Sequence, residues 1–237
     1  MKKKILAILC ASVIILVLAA ASPLMDIRTI TVNGNEKFSS GEIIRMAEIS
    51  ERTNIFALRT SQIKENLYKN TYIKHVNIVR DYGNRSLEIN IIERQLRGYV
   101  RFRDNTYLFI DGDGMVLESR TAFTERHPVI EGLRFTEFTV GEYLQVENRN
   151  AFEIMLILSF LFEEFDIAQD IIRVNLSIED EIHFYYGNIN IQMGSRHNLD
   201  FKIMTMMEIL PTLEDYKHIG GFLFLQDPLR ARFSLLS

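Results

Sequence analysis

The residue types that most often carry out chemistry are few and scattered in this chain of 237 residues. Its single cysteine, Cys10, excludes an internal disulfide and every zinc site that needs two or more thiolates. None of the five histidines has the spacing of a metal-binding pair; they are His75, His127, His183, His197 and His218. The sequence therefore predicts no metal site and no cofactor.

Two aspartates, Asp111 and Asp113, invite a calcium-loop interpretation, but no acidic residue stands at the downstream ligand position. Asp-Gly is a strong hairpin signal, so we interpret Asp111-Gly112-Asp113-Gly114 as a turn. The chain has no nucleophile elbow, no Ser-x-x-Lys motif, no phosphate-binding loop and no dinucleotide fingerprint. We expect a protein that is not an enzyme. The enzymatic alternative is an exported cell-wall hydrolase with two inward-facing carboxylates, although the chain offers no tryptophan as a sugar platform.

The charge balance limits the classes of partner. The formal net charge is −4 and the calculated pI is about 5.8, whereas nucleic-acid binding needs a basic surface. Without the three lysines near the N-terminus, 24 basic residues face 31 acidic ones, a balance of −7. We therefore expect protein partners, with no nucleic acid and no small-molecule substrate.

The N-terminus combines Lys2, Lys3 and Lys4 with an uncharged apolar run over residues 5–21. A run of this length is at the lower limit for a membrane-spanning helix, and the lysines place the N-terminus in the cytoplasm. The sequence thus predicts a cytoplasmic tail over residues 1–4, a transmembrane helix over residues 5–21 and an exported remainder. Ala19-x-Ala21 also fits a signal-peptidase site, so both an uncleaved anchor and a cleaved signal remain open.

Residues 26–94 have the pattern of a small domain with the order β-α-α-β-β. A strand ends in the turn Asn33-Gly34-Asn35, whose residues we expect to supply positive φ angles. Ser39 and Glu42 fit a capping box that starts the first helix, and a second helix is predicted over residues 60–68. Two alternating strands then flank a hairpin loop at residues 81–85. Two helices can cover one face of such a three-stranded sheet.

The sequence pattern of residues 95–237 predicts a mixed, β-rich domain with two helices. The predicted fold class of the whole chain is therefore α+β. Strand pairs precede an apolar helix over residues 149–165, in which Glu153, Glu163 and Glu164 argue against a second membrane span. Strands over residues 171–178, 182–186 and 188–193 follow. A second helix covers residues 199–213, and its methionines are interpreted as core residues rather than as an adaptable binding surface. The last strands are predicted over residues 221–225 and 229–235.

These features resemble the FtsQ/DivIB family of bacterial cell-division proteins. The first domain looks like a POTRA domain because an exported β-α-α-β-β unit opens with Ile-x-x-Ile-x-Val-x-Gly-Asn and continues with Ser-x-x-Glu-Ile. The residues that carry this likeness are Ile27, Ile30, Val32, Gly34, Asn35, Ser39, Glu42 and Ile43. Further on, Glu93-Arg94, the segment at residues 127–132, Gly194 and Lys202 are also similar to the family pattern. Gln95-Leu96 departs from it, since the family has a proline near this point.

The resemblance implies a non-enzymatic scaffold of the divisome, a single-pass protein of the bacterial cell membrane whose exterior part acts at the division septum. It implies partners similar to FtsL and to FtsB/DivIC, and a role in controlling septal peptidoglycan synthesis. A secreted adhesin or assembly factor that contains a POTRA domain is the other alternative.

The predicted partner-binding surface lies on the two C-terminal strands. A terminal strand is well placed for a sheet edge, where unpaired backbone groups can accept a strand from another protein. The candidate residues are Phe222, Leu223, Phe224, Leu225, Arg230, Arg232 and Phe233. The two arginines can either pair with acidic partner residues or act as solvated charges that prevent aggregation. The family resemblance favours the first role, because it implies partners that dock by strand addition at this end.

Overall fold

The computed structural model describes Cys10, Val13 and residues 22–50, 52–123 and 127–236. The predicted transmembrane helix over residues 5–21 lies outside this described part, apart from Cys10 and Val13. In the described part, no helix combines the length and the apolar character needed to cross a bilayer. The chain separates into two compact units, Met1–Arg94 and Gln95–Ser237.

The first unit has the predicted order β-α-α-β-β. Its elements are β1 (Thr29–Asn33), α1 (Ser40–Met46), α2 (Thr60–Tyr68), β2 (Ile73–Asp81) and β3 (Ser86–Glu93), after a short 3-10 turn at Pro23–Met25. The sheet order is β1-β3-β2, with β1 parallel to β3 and β2 antiparallel to it. Ile43 of α1 and Leu67 of α2 are fully buried against Val76, Leu87 and Ile89 of the sheet. Burial of these aliphatic side chains supplies the hydrophobic free energy that holds the unit together.

Local signals in the sequence explain where α1 begins and how the chain reaches it. The Ser39 hydroxyl accepts from the backbone N–H of Glu42 at 3.3 Å, and the Glu42 carboxylate accepts from the backbone N–H of Ser39 at 2.8 Å. Both bonds of the predicted capping box are therefore formed. In the preceding turn, Gly34 has φ +79°. The expectation of positive φ angles was wrong for Asn33 and Asn35, because this one glycine reverses the chain.

The second unit is a nine-stranded sheet with two α-helices. Its elements are β4 (Leu96–Arg101), β5 (Tyr107–Asp111), β6 (Val116–Arg120), β7 (Val129–Glu131), α3 (Arg149–Glu164), β8 (Arg173–Asn175), β9 (Ile182–Tyr186), β10 (Ile189–Gly194), α4 (Leu199–Ile209), β11 (Gly221–Phe224) and β12 (Arg232–Leu235). The strand order is β12-β11-β10-β9-β8-β7-β4-β5-β6, which makes β12 and β6 the two edges.

One face of this sheet forms the core with both helices. A row of register partners crosses seven strands on that face, namely Val100, Ile130, Val174, Phe184, Ile191, Leu223 and Phe233. Ile154 and Leu158 of α3 and Ile203 and Met206 of α4 belong to the same buried cluster. Alternation along each strand sends the neighbouring side chains to the opposite, helix-free face.

Three of the elements predicted in this unit have boundaries that were wrong. The helix predicted over residues 199–213 ends at Ile209 and continues as a 3-10 helix, Leu210–Tyr216, because Pro211 cannot donate the next α-helical hydrogen bond. The strand predicted over residues 171–178 is only Arg173–Asn175, since its neighbour β7 is equally short and the Asn175 side chain accepts from Ser177 N–H. The last strand begins at Arg232 rather than at residue 229, because a 3-10 turn at Pro228–Arg230 precedes it.

Candidate partner-binding surface

The two C-terminal strands lie at one edge of the nine-stranded sheet. β11 pairs with β10 in parallel and with β12 in antiparallel orientation, and β12 is the outer strand. In an antiparallel pair, alternate residues direct their N–H and C=O groups to the partner strand. Half of the backbone groups of β12 therefore point away from β11, and these are the groups with which an added strand can pair.

The structure divides the candidate residues between the core and the surface. Leu223 and Leu225 are buried, with 1% and 0% of their surface exposed. Phe233 is half-buried and its ring centroid lies 5.5 Å from that of Tyr216. These three side chains hold the strands on the hydrophobic core. Leu223 and Leu225 can contribute to binding only through the position of the backbone, because their side chains are buried.

The exposed candidates lie on the helix-free face and in the turn before β12. Phe222 and Phe224 are half-buried on that face, with ring centroids 6.3 Å apart. Arg232 lies across the register from Phe224, and its guanidinium carbon is 4.3 Å from the centre of the ring. Arg230 is in the 3-10 turn rather than in a strand, and 88% of its side chain is exposed. Its Nε is 3.7 Å from Asp227 Oδ2.

A row of polar and aromatic side chains continues from Phe222 across the helix-free face, and the sequence analysis missed it. Successive register partners are Phe222, Asn190, Tyr185 and Arg173. Arg173 stacks over the Tyr185 ring at 3.8 Å, and Asn190 Oδ1 lies 2.8 Å from His183 Nδ1. The alternation in β9 and β10 indicates which residues leave the core. It does not indicate that they stand beside Phe222, because strand order depends on the tertiary fold.

The aspartates that suggested a calcium loop organise the turn between β5 and β6. Asp111 is buried, and its Oδ1 accepts from the backbone N–H groups of Asp113 at 3.0 Å and Met115 at 2.8 Å. The carboxylate thus satisfies backbone donors in a tight hairpin. Within the described residues, no group of three or more His, Cys, Asp or Glu side chains is arranged to hold a metal ion.

A cleft of about 480 Å³ near the end of α3 brings several carboxylates to a concave surface. Its lining includes Asp166, Asp170, Glu214 and the hydroxyl-bearing Tyr186. Burial and, as the second cause, the hydrogen bond to Glu214 raise the pKa of Tyr186. The hydrogen bond from the Tyr186 hydroxyl is the main cause that lowers the pKa of Glu214. A glycosidase acid needs the opposite change, a carboxyl group whose pKa is raised.

The chain is similar to known cell-division proteins. Residues 25–94 match the family of POTRA domains of the FtsQ type. The cell division protein DivIB of Clostridium tetani is 28% identical over 205 residues, which are 86% of this chain and 77% of the relative. DivIB of Clostridium botulinum is 27% identical over 93% of this chain and 86% of the relative. DivIB of Clostridium acetobutylicum is 26% identical over 83% of this chain and 78% of the relative.

Proposed function

On the premise that this chain is a protein of the FtsQ/DivIB type, as its POTRA domain and its DivIB relatives show, we propose that it is a non-enzymatic scaffold of the bacterial division machinery. It binds coiled-coil division proteins similar to FtsL and FtsB/DivIC and helps to control septal peptidoglycan synthesis. The single observation that carries the binding proposal is the position of β12. It is an edge strand with an aromatic and cationic face beside it.

The proposed topology is that of a single-pass protein of the cell membrane at the septum. Residues 5–21 anchor the chain, the N-terminus is cytoplasmic, and both units are exported. The apolar run and the preceding lysines support this arrangement. N-terminal sequencing of the native protein tests the anchor, since a chain that starts at Ser22 would be a secreted factor.

In the proposed complex, a partner strand extends the sheet at β12. Backbone pairing along this edge supplies affinity, while the side chains of Phe222, Phe224 and Arg232 set specificity. Arg230, in the exposed turn, provides a second cation for acidic residues of the partner. Leu223, Leu225 and Phe233 keep the edge in place from the core side.

In three carboxyl groups, the shift of the pKa is opposite to the one that the acid of a cell-wall hydrolase needs. The pKa values of Glu42, Asp81 and Glu214 are all lowered. Hydrogen bonds to the charged form cause each of these shifts. Purified exported protein should therefore release no fragments from peptidoglycan. A product that disappears when one Asp or Glu is substituted would favour the hydrolase.

The test of the binding surface is co-purification of the partners with the full chain. We expect the double variant Arg230→Glu, Arg232→Glu to lose the coiled-coil partners while its circular dichroism and export stay normal. The matched control is Arg103→Glu, Arg120→Glu. It makes the same change in charge near the other edge of the sheet. Arg120 is on the edge strand β6 and lies over the Phe109 ring, as Arg232 lies over the Phe224 ring, and Arg103 is an exposed residue that follows β4.

Loss of the partners in both double variants would show that only the net charge matters. Unchanged binding by a folded Arg230→Glu, Arg232→Glu variant would move the interface elsewhere, with the POTRA helices as the next candidate. A proline at Leu223 is a weaker test. Leu223 lies between two paired strands, so the substitution removes a donor inside the sheet and endangers folding.

A further inference from the structure

The segment that follows the predicted membrane anchor is held between two loops of the POTRA unit. On one side, Ile55 N–H donates to the Met25 carbonyl at 2.9 Å, and Asn54 Nδ2 donates to the Ser22 carbonyl at 3.1 Å. On the other side, Arg85 of the β2–β3 hairpin donates to the Leu24 carbonyl. Both loops therefore lie beside the point at which the proposed anchor enters the unit.

Each of these loops presents an exposed aromatic ring, and the two rings stack on each other. Phe56 and Tyr82 are each 50% exposed, and their ring centroids are 5.1 Å apart at an interplanar angle of 23°. Leu24, on the segment between the loops, is 73% exposed. We call Leu24, Phe56 and Tyr82 the aromatic patch. It is an apolar surface that folding leaves in contact with solvent.

The charges on the same segments suit a membrane surface. Arg28, Arg52 and Arg59 are exposed on the chain that flanks the aromatic patch. Arginines near a bilayer attract anionic head groups, and tyrosine rings such as that of Tyr82 concentrate at the interface because they combine an apolar body with a polar hydroxyl. Asp26, Glu51 and Asp81 lie on the same segments of the sequence, so the charges there are mixed in sign and the apolar side chains carry the argument.

We infer that the aromatic patch rests in the lipid interface and fixes how the POTRA unit is held on the outer face of the membrane. This inference depends on the proposed anchor, because the anchor brings Ser22 and its neighbours to the bilayer. A lipid surface fits better than a protein partner. Three side chains supply far less than the roughly 800 Å² per partner that a stable protein interface buries, whereas lipid contact needs only shallow insertion of a few apolar groups.

The absence of tryptophan from the chain allows a direct test. In the full-length protein, Phe56→Trp and Tyr82→Trp each introduce a single reporter at the aromatic patch. The matched control is Tyr68→Trp, because Tyr68 is also exposed, at 45%, in the same unit. The Tyr68 hydroxyl accepts a hydrogen bond from Val76 N–H. About 20 Å of extended strand separates Val76 from Tyr82.

Each variant is reconstituted in vesicles of phosphatidylcholine with and without bromine near the head group. Bromine quenches tryptophan on contact. We expect the brominated lipid to remove most of the emission of the residue-56 and residue-82 reporters and to leave the residue-68 reporter unchanged. Thermal unfolding of each variant checks that the fold is retained, and the two patch reporters substitute for each other if one variant fails to fold.

Alkaline extraction of the same vesicles separates this inference from the anchor. A chain that stays in the membrane while neither patch reporter is quenched overturns the inference and leaves the anchor in place. If alkali extracts the chain, although quenching before extraction was confined to the two patch reporters, the proposed anchor is wrong. Lipid contact of the aromatic patch is supported in that case. Equal quenching at all three positions overturns the inference, because lipid contact would not be particular to the aromatic patch.

Discussion

The guanidinium carbon of Arg232 lies 4.3 Å from the centre of the Phe224 ring, and the two residues are register partners on β12 and β11. Charge and ring therefore meet across the outermost strand pair of the nine-stranded sheet. The contact lies at the edge where we propose that partners add a strand. The same contact therefore bears on the stability of the edge and on the proposed interaction with a partner.

This pair should contribute measurably to stability. We expect a double-mutant cycle with Arg232→Gln and Phe224→Leu to give a coupling energy of about 0.5–1 kcal/mol, typical of an exposed cation–π contact. Denaturant unfolding of a chain of residues 22–237 measures it. Arg230→Gln with Phe224→Leu serves as the control cycle, since Arg230 is in the turn and faces Asp227. Equal coupling in both cycles would contradict a specific role for the Arg232 contact.

Two glycines of the first unit should respond in opposite directions to alanine. Gly34 has φ +79°, and a Cβ there would lie 2.1 Å from the backbone oxygen of Ile91. We expect Gly34→Ala to destabilise the protein by more than about 1 kcal/mol. Gly41 is in α1 with nothing within 4 Å of its Cβ position. Gly41→Ala should stabilise by up to about 0.5–1 kcal/mol. Equal melting temperatures for the two variants would show that the turn is not strained.

The fold of the first unit could be predicted from its sequence because local signals define its elements. The helix α2 begins and ends at the predicted residues, and the capping box of Ser39 and Glu42 forms with both of its bonds. The parallel pairing of β1 with β3 could not be predicted in the same way. It depends on contacts between residues almost 60 positions apart, such as Ile30 and Leu87.

In the second unit, the sequence predicts most elements but not their arrangement. The short strand β7 is inserted between β4 and β8, and β11 joins β10 in parallel. These pairings place β12 at the edge and line up Arg173, Tyr185 and Asn190 beside Phe222. Apolar and polar alternation shows which face a residue takes. It carries no information on which strand is the neighbour.

Glu93 closes the first unit by binding the backbone of the turn before α1. Its two carboxylate oxygens accept from the N–H groups of Glu36 at 3.2 Å, Lys37 at 2.6 Å and Phe38 at 3.3 Å. We expect Glu93→Ala to destabilise the protein by about 1–3 kcal/mol, because it removes a charged acceptor from three backbone N–H groups. Urea unfolding of a chain of residues 22–237 gives the value.

The matched control for Glu93 is Glu88→Ala on the same strand. Glu88 is exposed and accepts from the side chain of Asn33 rather than from backbone. Its removal should change the free energy of unfolding by less than about 0.5 kcal/mol. If Glu88→Ala destabilises the protein as much as Glu93→Ala, the effect reflects the loss of a strand carboxylate and not the backbone contacts.

Lys202 is a charged residue inside the second unit. Only 4% of its surface is exposed, and its Nζ donates to the Ser195 carbonyl at 2.8 Å. Burial lowers the pKa of this lysine. The folded protein therefore disfavours the charged form relative to the unfolded chain, in which the amine has its ordinary pKa of about 10.4.

This shift predicts how the contribution of Lys202 depends on pH. Below the lowered folded-state pKa the penalty for burying the charge is complete. Between that pKa and the unfolded value the unfolded chain binds more protons, so the contribution of Lys202 to stability rises with pH. We therefore expect the free energy of unfolding of the wild type, minus that of Lys202→Met, to increase as the pH rises toward about 10.4, the ordinary pKa of the amine in the unfolded chain. Denaturant unfolding at each pH measures this difference, and subtraction removes the titration of all other groups. Lys74→Met, at an exposed position on β2, controls for the general effect of replacing a lysine by methionine. A flat difference for Lys202→Met would contradict the lowered pKa.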